Sequence, residues 1–170
     1  MTFRRTALSL ALASGIMGLT SLGLANVEEG QMAPDFTLPD INPDAPAVTL
    51  SALQGKVVYV DFWASWCVPC LRSLPEINTL YQQYRDQGFE VLAITIDTDL
   101  EDAEDFLLDL ATPIEYLVLS DIDSDVMYDY GVRGMPTSFL IDRQGVVQKV
   151  HEGYRDGDIE LLEQALQPLL

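Results

Sequence analysis

Two residues of this 170-residue chain carry thiols, and both lie in "VDFWASWCVPC" as Cys67 and Cys70. A pair so close can serve as a structural staple, as half of a metal site or as a redox switch. As a staple it is poor, because a bridge closing four residues removes little entropy from the unfolded chain. A tetrahedral metal site needs about four ligands, and the only histidine, His151, does not complete one. Copper, which accepts fewer thiolates, is the exception. Redox exchange fits the spacing best. A cysteine where a strand passes into a helix is held as the thiolate by the helix N-terminus. A second cysteine one turn on points back and resolves a mixed disulfide. Cys67 takes the first role and Cys70 the second, with Pro69 in the first helical turn, where its missing N–H costs nothing.

The elements that must position this pair are legible around it. "KVVYVDFWA" reads as a buried strand, β-branched and aromatic throughout. After the cysteines, Ile77, Leu80, Tyr81 and Tyr84 recur at helical spacing, with Gly88 as the stop. Pro75 falls inside that helix and predicts a kink rather than an end, since the apolar spacing continues past it. "FEVLAITID" is a second buried strand, "DLEDAEDFLLDLA" an acidic helix, "IEYLVLSD" a strand and "SDVMYDYGV" a short helix. "TSFLID" and "VVQKVHEG" form a hairpin across Arg143-Gln144-Gly145, and "DGDIELLEQALQPLL" closes as a helix with Ile159, Leu162, Ala165 and Leu169 on one face. The Pro- and Asp-rich stretch before Lys56 reads as an extended hairpin or loop packed on the domain. Alternating strands and helices of this kind make an α/β domain with a mixed sheet.

Asp61 breaks the apolar run "VVYVDFW". A carboxylate inside a central strand loses hydration, which raises its pKa. A polar cap at a strand end is the plainer reading of the same residue.

Residues 1–25 have the layout of a secretory signal peptide: Arg4 and Arg5, an uncharged apolar stretch, and Gly23-Leu24-Ala25 as a small-x-small cleavage site. The run is also long enough to stay as a membrane anchor. Either way residues 26–170, the size of one domain, face an exported, periplasmic environment. Without Arg4 and Arg5 they carry 7 basic against 27 acidic residues, a net charge of −20. That field repels phosphate backbones and excludes nucleic acid as a partner.

"VDFWASWCVPC", Pro75 and the late "GMPTSFLID" together resemble a thioredoxin-fold oxidoreductase from about Lys56 to Leu170. "APDFTLPD" and the additional helix and strand over residues 100–119 are similar to the exported TlpA-like subgroup, which includes reductases serving cytochrome c maturation. The resemblance implies a thioredoxin fold, a central mixed β-sheet flanked by helices, with an N-terminal β-hairpin extension and an inserted helix–strand. It makes Cys67 the nucleophile and Cys70 the resolving thiol, and it puts Pro136 in a cis peptide beside them. Met135 then pairs its backbone with an extended substrate, while Trp66 forms an apolar wall next to Cys67. Val68 and Pro69 complete the substrate-binding surface. Asp61 matches the buried aspartate that shuttles the proton of Cys70. One position departs from the subgroup: where many members have a glutamate three residues after the second cysteine, this chain has Ser73.

With no histidine between the cysteines, the expected direction is reduction of disulfides in exported proteins, apocytochrome c among them. The protein would work as a monomer on its own redox disulfide, without another cofactor or a metal, and would draw electrons from a membrane thiol donor. Two alternatives are weaker. A peroxiredoxin-like peroxidase shares the "APDFTLPD" segment but surrounds its cysteine with a threonine and an arginine that "FWASWCVPC" lacks. A Cu(I)-binding or delivery protein would use Cys67, Cys70 and His151, but the cis proline of the family blocks ligand approach, and His151 reads as an ordinary solvated edge residue.

Overall fold

The computed structural model describes residues 26–170; the leader or anchor expected over residues 1–25 lies outside the described residues. The central sheet has five strands: β3 (Val57–Trp63), β4 (Phe89–Thr95), β5 (Leu117–Ser120), β6 (Thr137–Ile141) and β7 (Val147–Glu152). Their order is β5-β4-β3-β6-β7. β3, β4 and β5 run parallel, linked through α1 (Cys70–Tyr84) and α2 (Leu100–Leu108). β6 and β7 are antiparallel additions on the other side of β3, separated from β5 by the short α3 (Asp125–Asp129), with α4 (Asp158–Leu166) closing the chain. This is the mixed sheet that the sequence pattern predicts.

β3 and β4 are buried on both faces, and for that reason their sequences are apolar on both faces rather than alternating, apart from Asp61 in β3 and Glu90 and Thr95 in β4. The pleat sends Val57, Tyr59 and Trp63 into one core layer, with both cysteines, Leu74 and Ile77 of α1 and Leu166 of α4. Val58, Val60 and Phe62 enter the opposite layer. There Phe62, Tyr130 and Phe139 meet at centroid distances of 4.9–6.1 Å.

The second layer is covered largely by the N-terminal extension. β1 (Thr37–Leu38) and β2 (Val48–Thr49) form a separate antiparallel pair, and single bridges tie Met32 to Val146 and Asp40 to Leu119. The extension therefore crosses the sheet from the β7 side to β5, burying Val27, Phe36, Leu38 and Leu50 on it. α1 runs through Pro75 to Tyr84, and its chain then closes in a 3-10 turn ending at Gly88, whose φ of 93° suits a residue without Cβ.

Candidate active site

β3 and β4 end side by side, with Trp63 opposite Thr95, and the site is built on their carboxyl ends. Asp97, two residues beyond β4, grips the loop that leaves β3. Its carboxylate accepts from the Ser65 N–H and Ser65 Oγ, each at 2.9 Å, and from Thr95 Oγ1 at 2.7 Å. The chain then turns tightly. The Cys67 N–H donates to the Ala64 carbonyl and the Cys70 N–H to the Cys67 carbonyl, both at 3.0 Å.

Cys67 and Cys70 are joined as a disulfide, with Cα atoms 5.3 Å apart. Two local expectations differ from what is found. The regular helix opens at Cys70, so Pro69 is its cap residue rather than part of the first helical turn, and Cys67 stands in the entering turn, two residues before the cap, rather than at the helix N-terminus. Both cysteines are also covered: Cys67 is 3% and Cys70 0% exposed. The i→i+3 turn accounts for both, since it folds Cys67 back under its neighbours. What faces solvent is Trp66 at 65%, Val68 at 76% and the half-exposed Leu71. Trp66, next to Cys67 in the chain, turns most of its apolar surface outward.

The Met135–Pro136 peptide is cis, as the resemblance implies. Met135 packs against both core layers, the first of which holds both cysteines. Thr137 Oγ1 donates to the Gly134 carbonyl at 2.7 Å, and the Gly153 N–H to the Pro136 carbonyl at 2.8 Å. The Met135 N–H and C=O form no hydrogen bond among the described residues. A cleft of about 350 Å³ opens here, lined by Arg133, Met135, Pro136 and Glu152 among others.

Asp61 sits inside β3 rather than at its end, shares its face with Tyr59 and Trp63, and is 1% exposed. Its Oδ2 has no hydrogen-bond partner among the described residues. Burial pushes its carboxyl up to about 8, because the charged form loses hydration that nothing replaces. Its charge in turn adds to the burial that holds Tyr59 and Tyr116 well above the usual phenol range. A carboxyl on the cysteine side of the sheet that binds its proton in the neutral range can act as a general base or acid. Ser73, at the departing position, is fully buried with its Oγ unpartnered among the described residues.

His151 lies on the edge strand β7, as the sequence suggests, but it is paired: its Nε2 lies 3.0 Å from Asp158 Oδ2. No group of three or more His, Cys, Asp or Glu side chains among the described residues is arranged to hold a metal. Asp97 was missed because its partner Ser65 is 32 positions away. Only the parallel pairing of β3 with β4 brings the two together.

Comparison with known proteins agrees with this geometry. The Redoxin family profile matches residues 28–166. Thiol-disulfide oxidoreductase ResA of Geobacillus thermodenitrificans is 36% identical over 127 residues, covering 75% of this chain and 71% of the relative. Thiol-disulfide oxidoreductase ResA of Bacillus subtilis is 33% identical over 143 residues, covering 84% and 78%. Among solved structures, one described as a thiol:disulfide interchange protein DsbE from Chlorobium tepidum superposes with a TM-score of 0.79 at 44% identity, over 85% of this chain and 99% of that one. Taken with the bridged Cys67–Cys70 pair at the end of β3, these likenesses establish that the chain belongs to the Redoxin family and is a thiol-disulfide oxidoreductase of thioredoxin fold.

Proposed function

We propose that this protein reduces disulfides in other exported proteins, with Cys67 as nucleophile, Cys70 as resolving thiol and Asp61 as the base that takes the Cys70 proton. The observation that carries the reading is the Cys67–Cys70 disulfide together with the buried, unpartnered Asp61 carboxyl on the sheet face that packs into the same core layer. The reduced protein attacks as the Cys67 thiolate. Its sulfur bonds to one substrate sulfur and expels the other as a thiolate. Asp61 then accepts the Cys70 proton, and the Cys70 sulfur displaces the substrate from Cys67. The substrate leaves with both sulfurs reduced, and the protein is left with the Cys67–Cys70 disulfide. Because Cys67 is covered in the oxidised form, recognition falls to the apolar rim of Trp66, Val68 and Pro69. The unpaired Met135 backbone beside Pro136 offers an extended segment one strand-like pairing.

Apocytochrome c and similar polypeptides suit such a surface, and a membrane thiol protein is the matching electron source. The protein acts outside the cytoplasm as a monomer, released or anchored by residues 1–25, and uses its own disulfide in place of a cofactor. The test is capture. Cys70→Ser strands the mixed disulfide, and the proteins retained on Cys67 identify the substrate class. Capture of polypeptides bearing the C-x-x-C-H haem attachment motif is the expected result. Failure of Cys67 to capture any disulfide protein refutes the assignment.

A further inference from the structure

A buried acid that loads and unloads protons needs contact with water, and Cys67, Cys70 and Trp63 of the core layer that the Asp61 face of β3 enters are all buried. The sheet offers another direction. Its ladders set Asp61 opposite Ser138, and Ser138 opposite His151. Directly paired residues on neighbouring strands share a face, with Cβ atoms about 5 Å apart. The three side chains therefore form one row from the central strand β3 across β6 to the edge strand β7. Exposure rises along it: Asp61 and Ser138 are buried, and the His151 side chain is 32% exposed.

Tyr59, two residues before Asp61 on the same face, donates its hydroxyl to Ser138 Oγ at 2.6 Å. A serine that accepts from a tyrosine still has its own hydrogen to give. No hydrogen bond joins it to Asp61, whose Oδ2 on the adjoining strand is without a partner among the described residues, so a side-chain rotation or one bridging water closes that step. Beneath α4 a cavity of about 260 Å³ is lined by Tyr59 and Ser138 together with Lys149, His151, Tyr154 and Asp158. It is polar at these groups and large enough for several water molecules. Burial, and after it the charge of Asp61, keeps the Tyr59 phenol neutral, so this hydroxyl can pass a proton on but does not retain a charge.

We propose that Ser138 and Tyr59 are the relay by which Asp61 exchanges its proton with solvent, through the cavity under α4. In the arrangement found, Tyr59 donates to Ser138, which suits loading. The Asp61 carboxylate takes the Ser138 Oγ hydrogen, Ser138 takes the hydrogen it accepts from Tyr59, and Tyr59 Oη takes a proton from cavity water that enters past the His151–Asp158 pair. Both hydroxyls end neutral, and the net change is one proton moved from water to the carboxylate; unloading is the reverse, with Ser138 then donating to Tyr59. The relay rests on the proposed role of Asp61 and would reset that carboxyl for the next resolution step without opening the cysteine side.

The test uses the oxidised full chain, mixed rapidly from H2O into D2O and followed by time-resolved infrared spectroscopy. The C=O stretch of protonated Asp61, identified by its disappearance in Asp61→Asn, moves to lower frequency as the proton is replaced. Tyr59→Phe and Ser138→Ala are each expected to keep the band and slow its shift by at least about a hundredfold, the lower end of what a placed proton-transfer group contributes. A smaller slowing, no change or a faster shift in either variant overturns the relay. If the unmutated protein shows no band that depends on Asp61, the buried-acid reading falls and the relay falls with it. Circular dichroism confirms that each variant is folded.

Discussion

Replacing Asp61 by asparagine should stabilise the oxidised protein, and by an amount that depends on pH in a calculable way. The carboxyl binds its proton at about 8 in the folded chain and at 3.8 when solvated. Between those values the folded state holds more protons than the unfolded one, so stability falls as pH rises, by about 1.4 kcal/mol for each pH unit. The contribution is fully present below about pH 4 and fully lost above about pH 8. From about pH 5 to about pH 8 the loss is about 4 kcal/mol. Asparagine has nearly the same shape and does not titrate. Whatever fixed cost or gain its amide brings is the same at every pH, and it cancels when the two conditions are compared. Urea unfolding of both proteins at the two pH values, with the disulfide intact, isolates the effect. The advantage of Asp61→Asn should grow by about 4 kcal/mol at the higher pH, equivalent to about 10 °C in melting temperature for a domain of this size. An advantage that stays constant between the two conditions would refute the claim that Asp61 is desolvated in the fold.

Other consequences are open to direct measurement. In single-turnover kinetics Asp61→Asn should leave the first attack by Cys67 near its original rate and slow resolution by Cys70 at least about a hundredfold; equal resolution rates remove the base. Asp97→Ala strands the Ser65 N–H, Ser65 Oγ and Thr95 Oγ1 donors, which should cost about 3 kcal/mol in denaturant unfolding and slow Cys67 attack as the loop loosens. Trp66→Ser, at a side chain that is mostly solvent-exposed, should change stability by less than about 0.5 kcal/mol. It should nonetheless raise KM for a protein disulfide about tenfold, the loss of one aromatic anchor. An unchanged KM would place substrate contact elsewhere.

Much of the architecture could be read locally. "VVYVDFW" and "FEVLAIT" are mostly apolar without alternation because both of their faces are buried, and α1 declares itself through Ile77, Leu80 and Tyr84 despite Pro75. Asp61 was conspicuous for the same reason: a charge in such a run has no water to face. The start of α1 was placed less well. Residues 67–70 close a single i→i+3 turn, and strand-to-helix turns of this kind leave little periodic trace in the sequence.

By itself, then, the sequence determined the order of strands and helices, the identity of the redox pair and the presence of an acid in the central strand. These depend on residue types and on spacings of a few positions. Which atoms meet depends on register across strands, and that only the tertiary structure decided. It covered Cys67 and left Trp66 and Val68 outside. It closed Asp97 on Ser65 across the ends of β3 and β4, and it aligned Asp61, Ser138 and His151 in one row. Those three residues are separated by 77 and 13 positions in the chain, and a slip of one residue in either pairing would turn their side chains to opposite faces of the sheet.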